Sequence, residues 1–104
     1  MQASKSNIPT SITILGKKIK IRKPKKLVDQ SGNELFGLFD HDKMIIYVSQ
    51  SKDHDINSTF FHECIHVALF ISGHNETLEH EQEEAIVRLL EHALFPILGE
   101  LKWN

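Results

Sequence analysis

The segment Phe60-Phe61-His62-Glu63-Cys64-Ile65-His66-Val67-Ala68-Leu69-Phe70-Ile71 constrains the fold more than any other stretch of this chain. Its apolar residues recur nearly all round a helical wheel, the mark of a helix packed on most sides. Asn57 or Ser58 offers an N-terminal cap, and Gly73 offers the left-handed position that ends such a helix. His62, Glu63 and His66 are set into this apolar surface. Left unpartnered in a packed interior, each would cost about 1–3 kcal/mol. The helix must therefore bring a polar partner to these three residues.

The spacing limits what that partner can be. Residues four apart share a helix face, so the imidazoles of His62 and His66 can reach one ion. Zinc takes imidazole nitrogen readily and keeps a position for water when three protein groups hold it. Glu63 lies about 100° round the helix from His62, beside the ion and not on it. A carboxylate there can take a proton from an activated water and pass it to a leaving amine. This is the H-E-x-x-H pattern together with its mechanism. The chain holds seven histidines, which makes a chance occurrence easier, but a chance occurrence favours a solvated surface. This one falls inside an apolar, capped segment of helical length.

Two histidines need a third ligand. The candidates are His74, just past the helix, and the acidic residues of a second helix expected over 78–98, with Pro96 bending or fraying its last turn. If Ile86, Leu90, Ala93 and Ile97 define the apolar stripe, Glu83 falls about 40° from its centre and Glu84 about 140° away, beside Arg88 and Glu91. Glu83 is then the inward carboxylate and the expected ligand, with His74 as its main rival. Glu79 also points inward if the helix reaches back that far. Glu81 and Glu84 are expected to coat a solvated first turn, favoured there by the helix dipole.

The first half of the chain has a different period. Ile12 to Leu15 and Ile19 to Arg22 flank Gly16, which supplies the positive φ of a tight hairpin. Pro24 ends the second of these strands. Leu35 to Phe39 and Met44 to Val48 read as two further strands joined through residues 40–43. The fold class expected is α+β: a small, mostly antiparallel sheet of three to four strands, then the His-bearing helix, then a C-terminal helix. At 104 residues the chain suits one domain spanning 1–104, with residues 1–8 as a loose tail.

Charge is distributed unevenly. Eight of the twelve basic residues precede the first acidic one, Asp29, whereas Glu76, Glu79, Glu81, Glu83, Glu84 and Glu91 crowd the other end. The basic block is read as lysines on an exposed edge strand that discourage sheet-to-sheet aggregation. Any nucleic-acid binding is expected to be weak and non-specific, because no nucleic-acid motif accompanies the charges. A lone cysteine, Cys64, allows no intrachain disulfide and reads as a small buried hydrophobe. With a polar N-terminus and no long apolar run, the expected compartment is the cytoplasm, with no membrane contact. His41, His54 and His92 read as ordinary surface residues.

The stretch from Leu35 to Leu94 resembles the small zincin-type metallopeptidases of phages and bacteria, related in plan to the ImmA/IrrE and SprT-like groups. The resemblance is carried by Phe36-Gly37-Leu38-Phe39-Asp40 with Met44-Ile45-Ile46-Tyr47-Val48, by Thr59-Phe60-Phe61-His62-Glu63-Cys64-Ile65-His66, and by Glu83-Glu84-Ala85-Ile86-Val87. It implies a gluzincin-like zinc minidomain in which a glutamate from the following helix completes the site. His62, His66 and Glu83 would be Zn2+ ligands and Glu63 the general base. A SprT-like site, completed by histidine, would use His74 instead. The activity implied is hydrolysis of a protein or peptide substrate, with Met44 to Val48 as the sheet edge along which an extended peptide pairs. Tyr47, His74 and His80 are the candidates for stabilising the oxyanion. The competing expectation is a non-catalytic, metal-stabilised module that binds a protein or nucleic acid. Glu63 separates the two, since a structural site has no use for an acid at that position.

Overall fold

A computed structural model describes residues 8–98 and residue 100. The fold class is α+β, as the sequence implies. Short strands come first: β1 (Ser11–Ile14), β2 (Lys17–Arg22), β3 (Leu27–Val28), β4 (Glu34–Leu35), β5 (Gly37–Asp40) and β6 (Ile45–Val48). Two helices follow, α1 (Ile56–Ser72) and α2 (His80–Leu98), with a 3-10 turn at His74–Glu76 between them. No helix among the described residues is long and apolar enough to cross a membrane. Residues 1–7 of the expected tail lie outside the described residues, while Ile8 is a core residue, 7% exposed.

The main sheet has the order β1-β2-β6-β5. β1 pairs antiparallel with β2 through a turn in which Leu15 and Gly16 both take positive φ, 49° and 83°, as a two-residue hairpin with the native twist requires. β2 and β6 run parallel, with Ile21 beside Ile46. β5 and β6 run antiparallel, with Phe39 opposite Ile46. β3 and β4 form a separate two-stranded ribbon. The apolar run Leu35 to Phe39 is thus divided: Leu35 pairs with Leu27 in the ribbon, and Gly37 opens the edge strand of the main sheet.

This order corrects two expectations. β6 lies between β2 and β5, so the Met44 to Val48 segment has no free edge; β5 carries it. β2, the lysine-rich strand, is also interior, between β1 and β6. Its lysines protect no edge. Because side chains alternate along a strand, Ile19 and Ile21 are buried while Lys18, Lys20 and Arg22 stand on the outer face.

The inner face of the sheet meets α1. Ile19, Ile46, Val48 and Val67 are fully buried there, each contributing about 1.5–3 kcal/mol by leaving water. Phe60, Cys64 and Ile71 pack against the same cluster. With that ridge of α1 committed to the sheet, the ridge Ser58-His62-His66 turns towards α2, and Thr59 and Glu63 face β5. The helix is capped by Asp55, whose Oδ1 accepts from the Ser58 N–H at 3.1 Å; the expected caps Asn57 and Ser58 lie within its first turn. Gly73 ends α1 at φ 84°, with its N–H on the Phe70 carbonyl, as expected.

Candidate metal centre

One turn of α1 separates His62 from His66, and their ring centroids stand 5.0 Å apart. Both Nε2 atoms face Glu84 of α2. His66 Nε2 lies 3.2 Å from Glu84 Oε2, and His62 Nε2 lies 3.9 Å from Glu84 Oε1. Together the three side chains offer donor atoms within 4.8 Å of one another. Two donors each about 2.0–2.2 Å from a tetrahedral ion stand roughly 3.3–3.6 Å apart, so small side-chain adjustments would close this group on a metal. His62, His66 and Glu84 could therefore form a metal-binding site.

The other ring nitrogens are also engaged. His66 Nδ1–H donates to Glu83 Oε2 at 2.6 Å, and His62 Nδ1–H donates to Glu91 Oε1 at 2.7 Å. A hydrogen on each Nδ1 leaves the Nε2 lone pair free for a cation, and the carboxylate behind each ring fixes its orientation. Glu91 is held in turn by the Ser58 hydroxyl at 2.5 Å. Burial works against its ionisation, but the hydrogen bonds from Ser58 and His62, with the nearby imidazoles of His62 and His92, outweigh it. The Glu91 carboxyl is held below the usual carboxylate range.

The carboxylate that joins the two Nε2 atoms in this group is that of Glu84 and not that of Glu83, whose oxygen meets His66 Nδ1. The reason is the phase of α2. Val87 is its fully buried residue, whereas Ala93 and Ile97, which helped to define the expected stripe, are exposed. Measured from Val87 at about 100° per residue, Glu83 and Glu91 lie about 40° to either side and Glu84 about 60° away. All three glutamates share the buried face. Glu84, expected in solvent, is half-buried in the site, and Glu91 was not expected there at all.

Glu63 sits beside the histidines and is 9% exposed. Burial pushes its pKa up; His66 and His62 pull it back in part, and Glu84 and Glu91 add to the rise. The edge strand lies close over it. A Cβ on Gly37 would stand 2.7 Å from Thr59 Cγ2 and 2.9 Å from Glu63 Oε2, so only a residue without a side chain fits there. Phe36 stacks on His54 at 4.4 Å, and His54 bonds Thr59 Oγ1 at 2.6 Å and the Ser49 carbonyl at 2.9 Å. His54 is thus half-buried and ties Phe36, just before β5, and Ser49, just after β6, to the start of α1. It is not the surface residue expected.

A cleft of about 390 Å³ opens over this group. Phe39, His41 and Phe70 form an aromatic wall on one side, with His41 and Phe70 rings 5.2 Å apart, and Asn75, His80 and Glu84 also line it. A smaller hollow of about 200 Å³ reaches from Phe36 to Glu91. Both contain Gly37, His62 and Glu63, so the depression passes along β5 on either side of the histidines. His80 is therefore the oxyanion candidate that reaches the cleft. Tyr47 stands on the outer face of the sheet beside Arg22. His74 is exposed and bonded to the Ser72 hydroxyl at 2.8 Å, and Glu79 and Glu81 are exposed. Cys64 packs on the core with its thiol pKa pushed up to about 12 by burial and by the neighbouring Glu63. The chain matches no family model, no curated protein and no solved structure.

Proposed function

We propose that this chain is a zinc-dependent metallopeptidase, with His62, His66 and Glu84 as ligands and Glu63 as general base. The observation that carries the reading is the convergence of two imidazole nitrogens and one carboxylate beside a buried glutamate. Two nitrogens and one oxygen are a donor set that zinc accepts while keeping a position for water. A bound zinc would supply Lewis acidity and lower the pKa of the attacking water.

The protein groups divide the remaining work. Glu63 takes the proton from the attacking water and delivers it to the departing amine; burial raises its pKa and so strengthens it as a proton acceptor. Glu83 and Glu91 hold the two rings in place. His80, in the cleft wall, is the group available to donate to the developing oxyanion. An extended substrate would pair with the free edge of β5 and lie across the histidines. A glutamate ligand from the second helix agrees with the plan implied by the resemblance to the ImmA/IrrE group. The burial of Glu63 weighs against a purely structural metal, which gains nothing from an acid held there at a cost.

The test is cleavage of a peptide library by zinc-loaded protein, compared with Glu63→Gln at equal zinc content. Cleavage by the parent and none by the variant is the expected outcome. Equal cleavage by both removes Glu63 from the mechanism.

A further inference from the structure

We propose that the outer face of the main sheet is a docking surface for single-stranded nucleic acid. Between residues 17 and 26 the chain places Lys17, Lys18, Lys20, Arg22, Lys23, Lys25 and Lys26 and no acidic residue. All seven are exposed. Lys23 is tied to the Ile8 carbonyl at 2.7 Å, but among the described residues every close ion pair involves a histidine, and none engages a lysine or arginine. Edge protection, the usual reason for such a strand, does not apply, because β2 is paired on both sides.

The arrangement suits a phosphate chain. Lys18, Lys20 and Arg22 alternate with buried Ile19 and Ile21, so their cations form one row with steps of about 7 Å. Register puts Tyr47 beside Arg22 and Leu38 beside Tyr47 on the same face. Ser11 and Thr13 of β1 flank Lys20 and Lys18 on the other side. In the Lys20 row, Asp40 stands two strands away, roughly 10 Å, with its carboxylate accepting from the Asp42 and Lys43 N–H groups. A row of cations beside an aromatic ring on an open sheet is how strands bind single nucleic-acid chains: phosphates meet the cations and a base stacks on the ring. The proposed surface is the face of a four-stranded sheet, too broad to enter a duplex groove that admits one helix or a two-stranded ribbon, which favours the single strand. His62, His66 and Glu84 lie on the helix side of the sheet, opposite the row of cations, and the two features meet only at β5, where Leu38 also lines the cleft.

The experiment is fluorescence anisotropy of a labelled oligo(dT) with the full chain at several salt concentrations. Binding should weaken as salt rises, with a log–log slope near −2 or steeper, since about 0.7 counterions are released per phosphate engaged. Lys18→Gln/Lys20→Gln/Arg22→Gln should lose about tenfold or more in affinity and flatten that slope by about 2. Tyr47→Ala should weaken binding by a factor that salt does not change. Bound oligonucleotide should protect Lys18 and Lys20 of the parent from acetylation, a readout that needs no variant to fold. Absence of binding at low salt, unchanged affinity in the triple variant, tighter binding of a duplex, or binding only to vesicles of anionic lipid would each overturn the proposal.

Discussion

Glu84 Oε2 lies 3.2 Å from Nε2 of His66, while its neighbour Glu83 holds the opposite nitrogen of the same ring at 2.6 Å. Two adjacent glutamates of one helix thus bracket a single imidazole, one on the side a metal would occupy and one behind it. On the proposed zinc reading, this difference in position predicts a difference in role that can be measured.

Glu84→Ala should weaken zinc binding the most of any single acidic substitution, because it leaves two ligands. Glu83→Ala and Glu91→Ala remove only the carboxylates that orient the rings and should cost about 10–100-fold each. His74→Ala should be silent, since that side chain bonds Ser72 outside the group. Competition titrations with a chromophoric chelator rank the four variants. Glu83→Ala weaker than Glu84→Ala would return the third position to Glu83.

Glu63→Gln should keep its zinc and stabilise the metal-free protein near neutral pH. The native carboxyl has its pKa raised above the ordinary 4.5. Below that value the group is protonated in both folded and unfolded chains and costs nothing. As pH rises the unfolded chain ionises first, so stability falls until the folded group ionises too. The amide removes that loss. Urea midpoints in the presence of chelator should coincide for parent and variant near pH 4 and favour the variant at pH 7. A variant less stable at pH 7 would contradict the burial of an unpaired acid at this position.

The arrangement of these acids was only partly legible in the sequence. H-E-x-x-H sits in an apolar helical segment, and the spacing alone brings His62 and His66 together. The sheet-then-helices order and the stop at Gly73 follow from periodicity and from a glycine that can take positive φ. The phase of α2 was hidden because the helix carries more apolar residues than its core needs. Leu89 is 65% exposed and Ile97 48%, so the mean direction of its apolar side chains is turned away from the buried face. Val87, flanked by glutamates at three and four residues before it and at four after, marks the true direction. The pairing partner of each strand depends on long-range contacts, so the local pattern of Met44 to Val48 does not reveal that the free edge beside α1 belongs to β5 and not to β6.

Gly37→Ala should destabilise the fold by about 1–3 kcal/mol, because the new methyl meets Thr59 and the Glu63 carboxylate within 3 Å. On the proposed mechanism, displacing Glu63 by even about 1 Å reduces turnover roughly 100-fold. Activity should therefore fall further than zinc content or thermal stability. An alanine variant with parental activity would mean that β5 does not press on Glu63.

Cys64 should resist thiol reagents at pH 8 in the native protein and react at once in denaturant. Its pKa of about 12 leaves almost no thiolate, and it packs against the core. Ellman's reagent reads this directly. Rapid reaction of the native protein would show that α1 is not seated on the sheet.

The most direct measurement is the anomalous difference map at the zinc edge from crystals grown with one equivalent of zinc. The expected result is one strong peak about 2.0–2.2 Å from His62 Nε2, His66 Nε2 and a Glu84 carboxylate oxygen, with Glu83 and Glu91 still on the Nδ1 atoms. No peak at the two histidines, or a peak there ligated by Glu83 or His74 in place of Glu84, would contradict the site.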